Sequence, residues 1–126
     1  MILVDTSVWI EFFKQKEPFK ATVQSLLKSQ MALSIEPVFA ELLYGVRKKK
    51  EKDIIQSYWQ ILPRIEFGQD SMIKAANYAS SQRFLQSGIG LMDAIIIQSV
   101  IEGKHMLWTL DKRILSGIDP KLIYQP

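Results

Sequence analysis

Ile2-Leu3-Val4-Asp5-Thr6-Ser7 stands at the head of the chain, and its reading decides the fold. Three apolar residues in a row, ending abruptly on an acid, have the pattern of a strand buried on both faces; a half-exposed strand would alternate. Thr6 or Ser7 is suited to cap a following helix over Val8-Trp9-Ile10-Glu11-Phe12-Phe13. A strand covered on both faces implies a parallel sheet between helices, and such sheets bind ligands beyond the carboxyl ends of their strands. Asp5 occupies that position.

Working outward, strand and helix patterns alternate. The spacing predicts a helix over Phe19–Ser29, with Ala21, Val23, Leu26 and Leu27 facing inward, and a second strand at Met31–Ser34. Pro37 fits the first turn of a helix running to about Lys49. A further helix is expected from about Asp53 to Leu62, then a short strand at Pro63–Phe67 closed by Gly68. Ser71–Leu85 reads as helix and Ser87-Gly88-Ile89-Gly90 as a flexible turn. Leu91–Ile101 is apolar nearly all round, which marks a buried helix, ended by Gly103. His105–Thr109 is a strand, Lys112–Leu115 a short helix, and Leu122-Ile123-Tyr124 is expected to close the sheet. The class is therefore α/β: one domain over residues 1–126, a central parallel sheet of about five strands flanked by helices.

Composition narrows the chemistry. The chain has 126 residues, 48% hydrophobic and 23% charged, enough for one real core. It has no cysteine, which excludes disulfides, thiolate zinc sites and a cysteine nucleophile. The leading apolar run stops at Asp5 without a basic leader, so no signal peptide is expected, and no run approaches the ~20 apolar residues that span a bilayer. A cytoplasmic protein without membrane contact is the expectation. The formal charge of +3 hints weakly at a polyanionic partner. The cations Arg47-Lys48-Lys49-Lys50, Lys14, Lys16, Lys20, Lys28, Lys112 and Arg113 agree, although each alone reads as solvated surface.

Four acids carry the functional argument. Asp5 and Asp111 follow strands, where either could serve as a helix cap or a site acid. Asp93 lies in the first turn of the apolar helix, beside Met92 and Ala94-Ile95-Ile96-Ile97. The helix dipole favours an acid there, but an ionised group in a buried setting needs a partner, and no neighbouring cation is evident. Glu41 sits at the shoulder of an apolar stripe with Val38 and Leu42, and Gly45 one turn on suggests close approach of backbone or ligand. Carboxylates that converge cannot all ionise without cations, and hard oxygen donors select magnesium or manganese. Those ions grip phosphate oxygens and activate water, so the set points to phosphoryl chemistry on a nucleic acid.

Other chemistries are poorly supplied. His105 is the lone histidine and reads as structural, which leaves no serine triad and no histidine metal site. No glycine-rich phosphate loop is present. Trp9, Trp59, Trp108, Phe12 and Phe13 read as core.

These motifs together resemble the PIN-domain nucleases, specifically the VapC-type toxins of toxin–antitoxin pairs. Val4-Asp5-Thr6-Ser7 is similar to the family's first motif, and Val38-Phe39-Ala40-Glu41-Leu42-Leu43-Tyr44-Gly45 to the second. Leu91-Met92-Asp93-Ala94 resembles the third and Thr109-Leu110-Asp111 the fourth. The resemblance covers essentially the whole chain. It implies a five-stranded parallel sheet, Mg2+ or Mn2+ at Asp5, Glu41, Asp93 and Asp111, and endonucleolytic cleavage of RNA. Asp5 and Asp93 would be the principal ligands. Glu41 and Asp111 would complete the set, partly through water, and Thr6 or Ser7 and Thr109 would hold acids or water. A homodimer and a cognate antitoxin that blocks the site are also implied. Two departures stand out: Ile95-Ile96-Ile97 where small residues are common, and Lys112-Arg113 where an acid or histidine usually follows. The alternatives are a PIN-like protein that processes or binds RNA outside any toxin pair, and a phospho-acceptor signalling module. The latter is disfavoured because Thr6-Ser7 replaces the acidic pair or Asp-x-Asp it needs.

Overall fold

The computed structural model describes residues 1–66 and 68–126. Strand β1 (Ile2–Val4) lies at the centre of a three-stranded sheet of order β2-β1-β3, between β2 (Ala32–Leu33) and β3 (Met106–Trp108). Both pairings are parallel, with Leu3 opposite Leu33 on one side and Leu107 on the other. All three β1 residues are buried, so helices cover both faces.

The helices are α1 (Thr6–Phe13), α2 (Phe19–Lys28), α3 (Glu36–Gly45), α4 (Lys49–Ile61), α5 (Ser71–Ser81), α6 (Leu91–Gly103) and α7 (Lys112–Gly117). Short 3-10 turns occupy Phe84–Ser87 and Pro120–Leu122. Helix α6 buries Ala94, Ile95, Ile96, Ile97 and Val100, as its all-round apolar pattern predicts. Isoleucine is a mediocre helix former in isolation; burial against the sheet and α5 outweighs propensity here.

The five expected strands reduce to three. Beyond each edge the chain adds a single parallel bridge, Ser34 with Arg64 and Leu107 with Ile123. At the first edge Pro63, Arg64 and Glu66 are exposed, so the segment lacks the apolar faces that extend a strand; Phe67 lies outside the described residues. At the other edge the Asp119-capped turn holds the chain as far as Leu122, leaving Ile123 alone to pair.

Several boundaries shift for local reasons. Neither Thr6 nor Ser7 caps α1: Asp5 takes the N-cap place, without a side-chain cap bond, and both residues lie inside the first turn. Helix α3 ends at Gly45 rather than near Lys49, which already opens α4. Gly45 is thus a terminal residue, and nothing stands within 4 Å of where its Cβ would be, so no other backbone approaches it closely; it lines the groove beside Glu41 instead. Ala21 is exposed, while Val23 and Leu26 carry the inward face of α2. The Ser71–Leu85 helix stops at Ser81 and resumes as the 3-10 turn.

The aromatics do form core. Trp9 is fully buried, with ring centroids at 5.5 Å from Phe12, 5.7 Å from Phe13, 5.4 Å from Phe39 and 5.9 Å from Tyr58. This cluster ties α1 to α3 and α4. The Trp9 indole N–H has no hydrogen-bond partner among the described residues. Trp9→Ala should cost about 3–5 kcal/mol of stability, as large-to-small core changes do. Trp9→Phe should cost much less, about 1 kcal/mol, because it also removes an unsatisfied donor. Urea denaturation of both variants checks the contrast; equal losses would contradict it.

Candidate active site

Strand order places the topological switch at the centre of the sheet. From β1 the chain goes to β2 on one side, then crosses to β3 on the other, and the carboxyl ends of β1 and β3 are where a sheet of this kind forms its ligand crevice. Asp5 follows β1 directly, and Thr109 follows β3.

The two strand ends are laced together through hydroxyls. Asp5 is buried, and its Oδ2 accepts from Thr109 Oγ1 at 2.7 Å and from Ser7 Oγ at 3.0 Å. Each hydroxyl also accepts a backbone N–H, Ser7 from Leu110 at 3.0 Å and Thr109 from Asp111 at 3.1 Å. An N–H can only donate, so both hydroxyl protons point at the carboxylate. The Asp5 N–H donates to Trp108 across the strand pair at 3.0 Å. Among the described residues Oδ1 of Asp5 accepts nothing, which leaves it to face the crevice. Of the three supporting residues, Ser7 and Thr109 hold Asp5; Thr6 does not, and its Oγ1 is buried without a partner.

Asp93 sits in the first turn of α6, half-buried. Burial first, and then the charges of Asp5, Asp111 and Glu41 in that order, together raise its carboxyl from the ordinary 3.8 to about 6. Asp93 is therefore within electrostatic reach of each of the other three acids. Glu41, on α3, is exposed; with Thr6 it lines a groove of about 670 Å3 walled by Phe12, Phe13, Ile54 and Tyr58. Asp111 caps α7 through the Arg113 N–H and is gripped by the Arg113 guanidinium. That hydrogen bond holds its carboxyl below the usual range. Arg113 also weakly lowers Asp93, so this acid does have a cation nearby. Among the described residues no three acids already converge into a cage for one ion. Bare carboxylates repel, and Asp111 is turned onto its arginine.

A model of the PIN domain matches residues 2–119 of the chain. Ribonuclease VapC32, in two strains of Mycobacterium tuberculosis, is 32% identical over 117 residues, spanning 90% of this chain and 87% of that protein. The chain belongs to the PIN-domain family, in its VapC branch. Among solved structures, VapBC2 from Rickettsia felis bound to a promoter DNA fragment superimposes with a TM-score of 0.70 at 27% identity, covering 98% of this chain and 96% of that one. A toxin–antitoxin complex from Klebsiella pneumoniae superimposes with a TM-score of 0.75 at 18% identity, over 94% of this chain and 92% of its match, which supports the fold alone.

The donor set of this PIN domain suits a hard divalent cation. Asp5 offers one carboxylate oxygen without a donor among the described residues, on a strand end, and Asp93 carries a charge that Arg113 only weakly offsets. No histidine or cysteine stands with them. Sequence reasoning missed the reciprocal lacing of Ser7 and Thr109 with the 110–111 backbone; the signal was the hydroxyl pair flanking the strand-end acids.

Thr109→Val should cost about 1.5–3 kcal/mol, the range for a hydrogen bond to a charged acceptor left short of a donor in a buried place. Ser7→Ala should cost less, because Ser7 is only partly buried. Denaturation midpoints compare the two. Asp93→Asn should act in the opposite sense. A carboxyl held at about 6 in the folded chain, against 3.8 ordinarily, favours the fold only while protonated, and that advantage is lost as pH rises through 6. In metal-free buffer above about pH 7, Asp93→Asn should stabilise the fold by about 1–2 kcal/mol, and near pH 4 it should do almost nothing. A destabilised variant at the higher pH would refute this account of Asp93.

Proposed function

We propose that this PIN domain is a divalent-metal-dependent endoribonuclease and the toxin of a toxin–antitoxin pair. The observation that carries the reading is Asp93, half-buried at the start of α6 and raised by its burial and by the charges of Asp5, Asp111 and Glu41. In this reading Asp5 and Asp93 hold magnesium or manganese directly, and Glu41 and Asp111 complete the set. When bound, the ion lowers the pKa of water and polarises the phosphate. Ser7 and Thr109 fix Asp5 so that Oδ2 stays occupied and Oδ1 stays turned to the crevice. Asp93, ionised above about pH 6, attracts the cation into a partly desolvated place. Glu41, exposed on α3, would serve in this reading to accept a proton from attacking water.

RNA as substrate is supported by the similarity to Ribonuclease VapC32. The exposed run Arg47–Lys50, at the end of the helix that bears Glu41, agrees with a polyanion. The antitoxin partner is supported by the solved VapBC2 complex and by the apolar groove that ends on Thr6 and Glu41, where an amphipathic segment would cover the site. The homodimer belongs to the same reading; Met72, Ile73 and Leu85 expose apolar surface on α5 and the turn after it. Among the described residues no helix is long and apolar enough to cross a membrane, and the reading places the protein in the cytoplasm.

Asp5→Asn tests the function cleanly. The amide oxygen can take the place of Oδ2 and keep both hydroxyl donors, so the fold should survive while the crevice oxygen becomes an NH2 group. Cleavage of pooled RNA with Mg2+ or Mn2+ should be abolished in this variant, and in the unaltered protein by chelator. Undiminished cleavage by a folded Asp5→Asn protein would sink the proposal.

A further inference from the structure

Arg113 is the charged residue at the crevice that the four-acid reading leaves unused. Its guanidinium engages both oxygens of Asp111, Nη2 at 3.0 Å from Oδ2 and Nε at 3.3 Å from Oδ1, and its backbone N–H donates to Oδ1 at 2.9 Å. Three donors on one carboxylate leave little lone-pair capacity for another cation. The arginine stem is also given room. Gly88 has a φ of +76°, and a Cβ there would stand 3.3 Å from Arg113 Cδ. A side chain at position 88 would thus be strained by its backbone and would crowd the stem. Gly88 lies in the turn leading into α6, so Arg113 runs from α7 alongside the segment that sets Asp93 in place. An exposed ion pair of this kind adds little to stability. Its effect is to be sought in what it keeps off Asp111.

We propose that Arg113 is a resident cation of the acid cluster, which keeps Asp111 out of direct metal coordination and limits the crevice to one divalent ion on Asp5 and Asp93. The inference rests on reading the cluster as a metal-dependent nuclease centre. Charge counting favours it. Four carboxylates facing one guanidinium and one divalent ion retain a single negative charge, whereas a second divalent ion would turn the crevice net positive. The planar fork matters as well as the charge: an arginine meets both carboxylate oxygens at once, which a lysine cannot do. Arg113 is in this sense a positioning residue, acting through Asp111.

The test is Mn2+ binding, read as stoichiometry and affinity by electron paramagnetic resonance and calorimetry. The unaltered protein should bind one ion. Arg113→Gln should bind a second ion, or bind one roughly tenfold more tightly, the scale expected when a unit charge is removed beside a divalent cation in a partly wet site. Arg113→Lys should fall between. In Asp111→Asn/Arg113→Gln the gain over Asp111→Asn should be clearly smaller, because the released ligand is gone and only the lost positive charge still acts. One ion at unchanged affinity in Arg113→Gln, two ions in the unaltered protein, or a gain as large without Asp111 as with it would each overturn the inference while leaving the nuclease reading intact. No Mn2+ bound by the unaltered protein would overturn both.

Discussion

A buried carboxylate tied to two strands governs the rest of this structure. Asp5 ends β1, yet the donors that make its burial tolerable come from Ser7 on α1 and Thr109 beyond β3. Isolated, such an acid would cost several kcal/mol to desolvate; two hydroxyl donors offset part of that. The same hydroxyls accept the N–H groups of Leu110 and Asp111, so the segment carrying the fourth acid is positioned by the bond network that satisfies the first. Parallel pairing of β1 with β3 is the condition for all of this. The sheet is small, and its central pair is where structure and chemistry share the same bonds.

The stability that carries this arrangement comes from elsewhere. Asp93 works against the fold once it is ionised, since burial and three like charges oppose its ionisation. It persists because its helix buries Ala94, Ile95, Ile96, Ile97 and Val100 immediately after it. The isoleucine run packs the helix against the sheet and α5 and so holds an unfavourable acid at its first turn. On the other side of the crevice, the Trp9 cluster anchors α3, from which Glu41 reaches the groove. A site made of repelling charges is thus held by two apolar bodies that contain none of them.

This division explains what was legible in the sequence. Burial patterns are local and unmistakable in Ile2-Leu3-Val4 and in the α6 run, so the parallel sheet and the strand-end place of Asp5 could be read directly. The outer strands could not. Leu122-Ile123-Tyr124 is apolar enough for a strand, but a capped proline turn claims its first residue, and that competition depends on Asp119 and Pro120. Gly45 misled for a similar reason: its meaning depended on where α3 stops, and helix ends are weakly encoded. Burial of Asp93 follows from the apolar run around it, whereas the cation near it, Arg113, lies twenty residues along the chain and is invisible to local spacing. The role of Thr6 was likewise beyond spacing, since Thr6 and Ser7 are neighbours in sequence and only Ser7 turns toward Asp5.

Asp111 shows why cap and site acid are not exclusive readings. Its Oδ1 accepts the Arg113 N–H and caps α7, which alone would account for an aspartate at this place. Its second oxygen and the arginine fork then satisfy the rest of its capacity. Asp93 is the opposite case. It also lies in a helical first turn, but it does not cap α6, whose N-cap is Gly90, and its charge meets three other acids against the weak pull of Arg113. Two aspartates in similar helical contexts therefore differ in their demand for a cation. That demand is highest where the protein supplies fewest donors, which ranks Asp93 first, then Asp5 with its one unsatisfied oxygen, and Asp111 last.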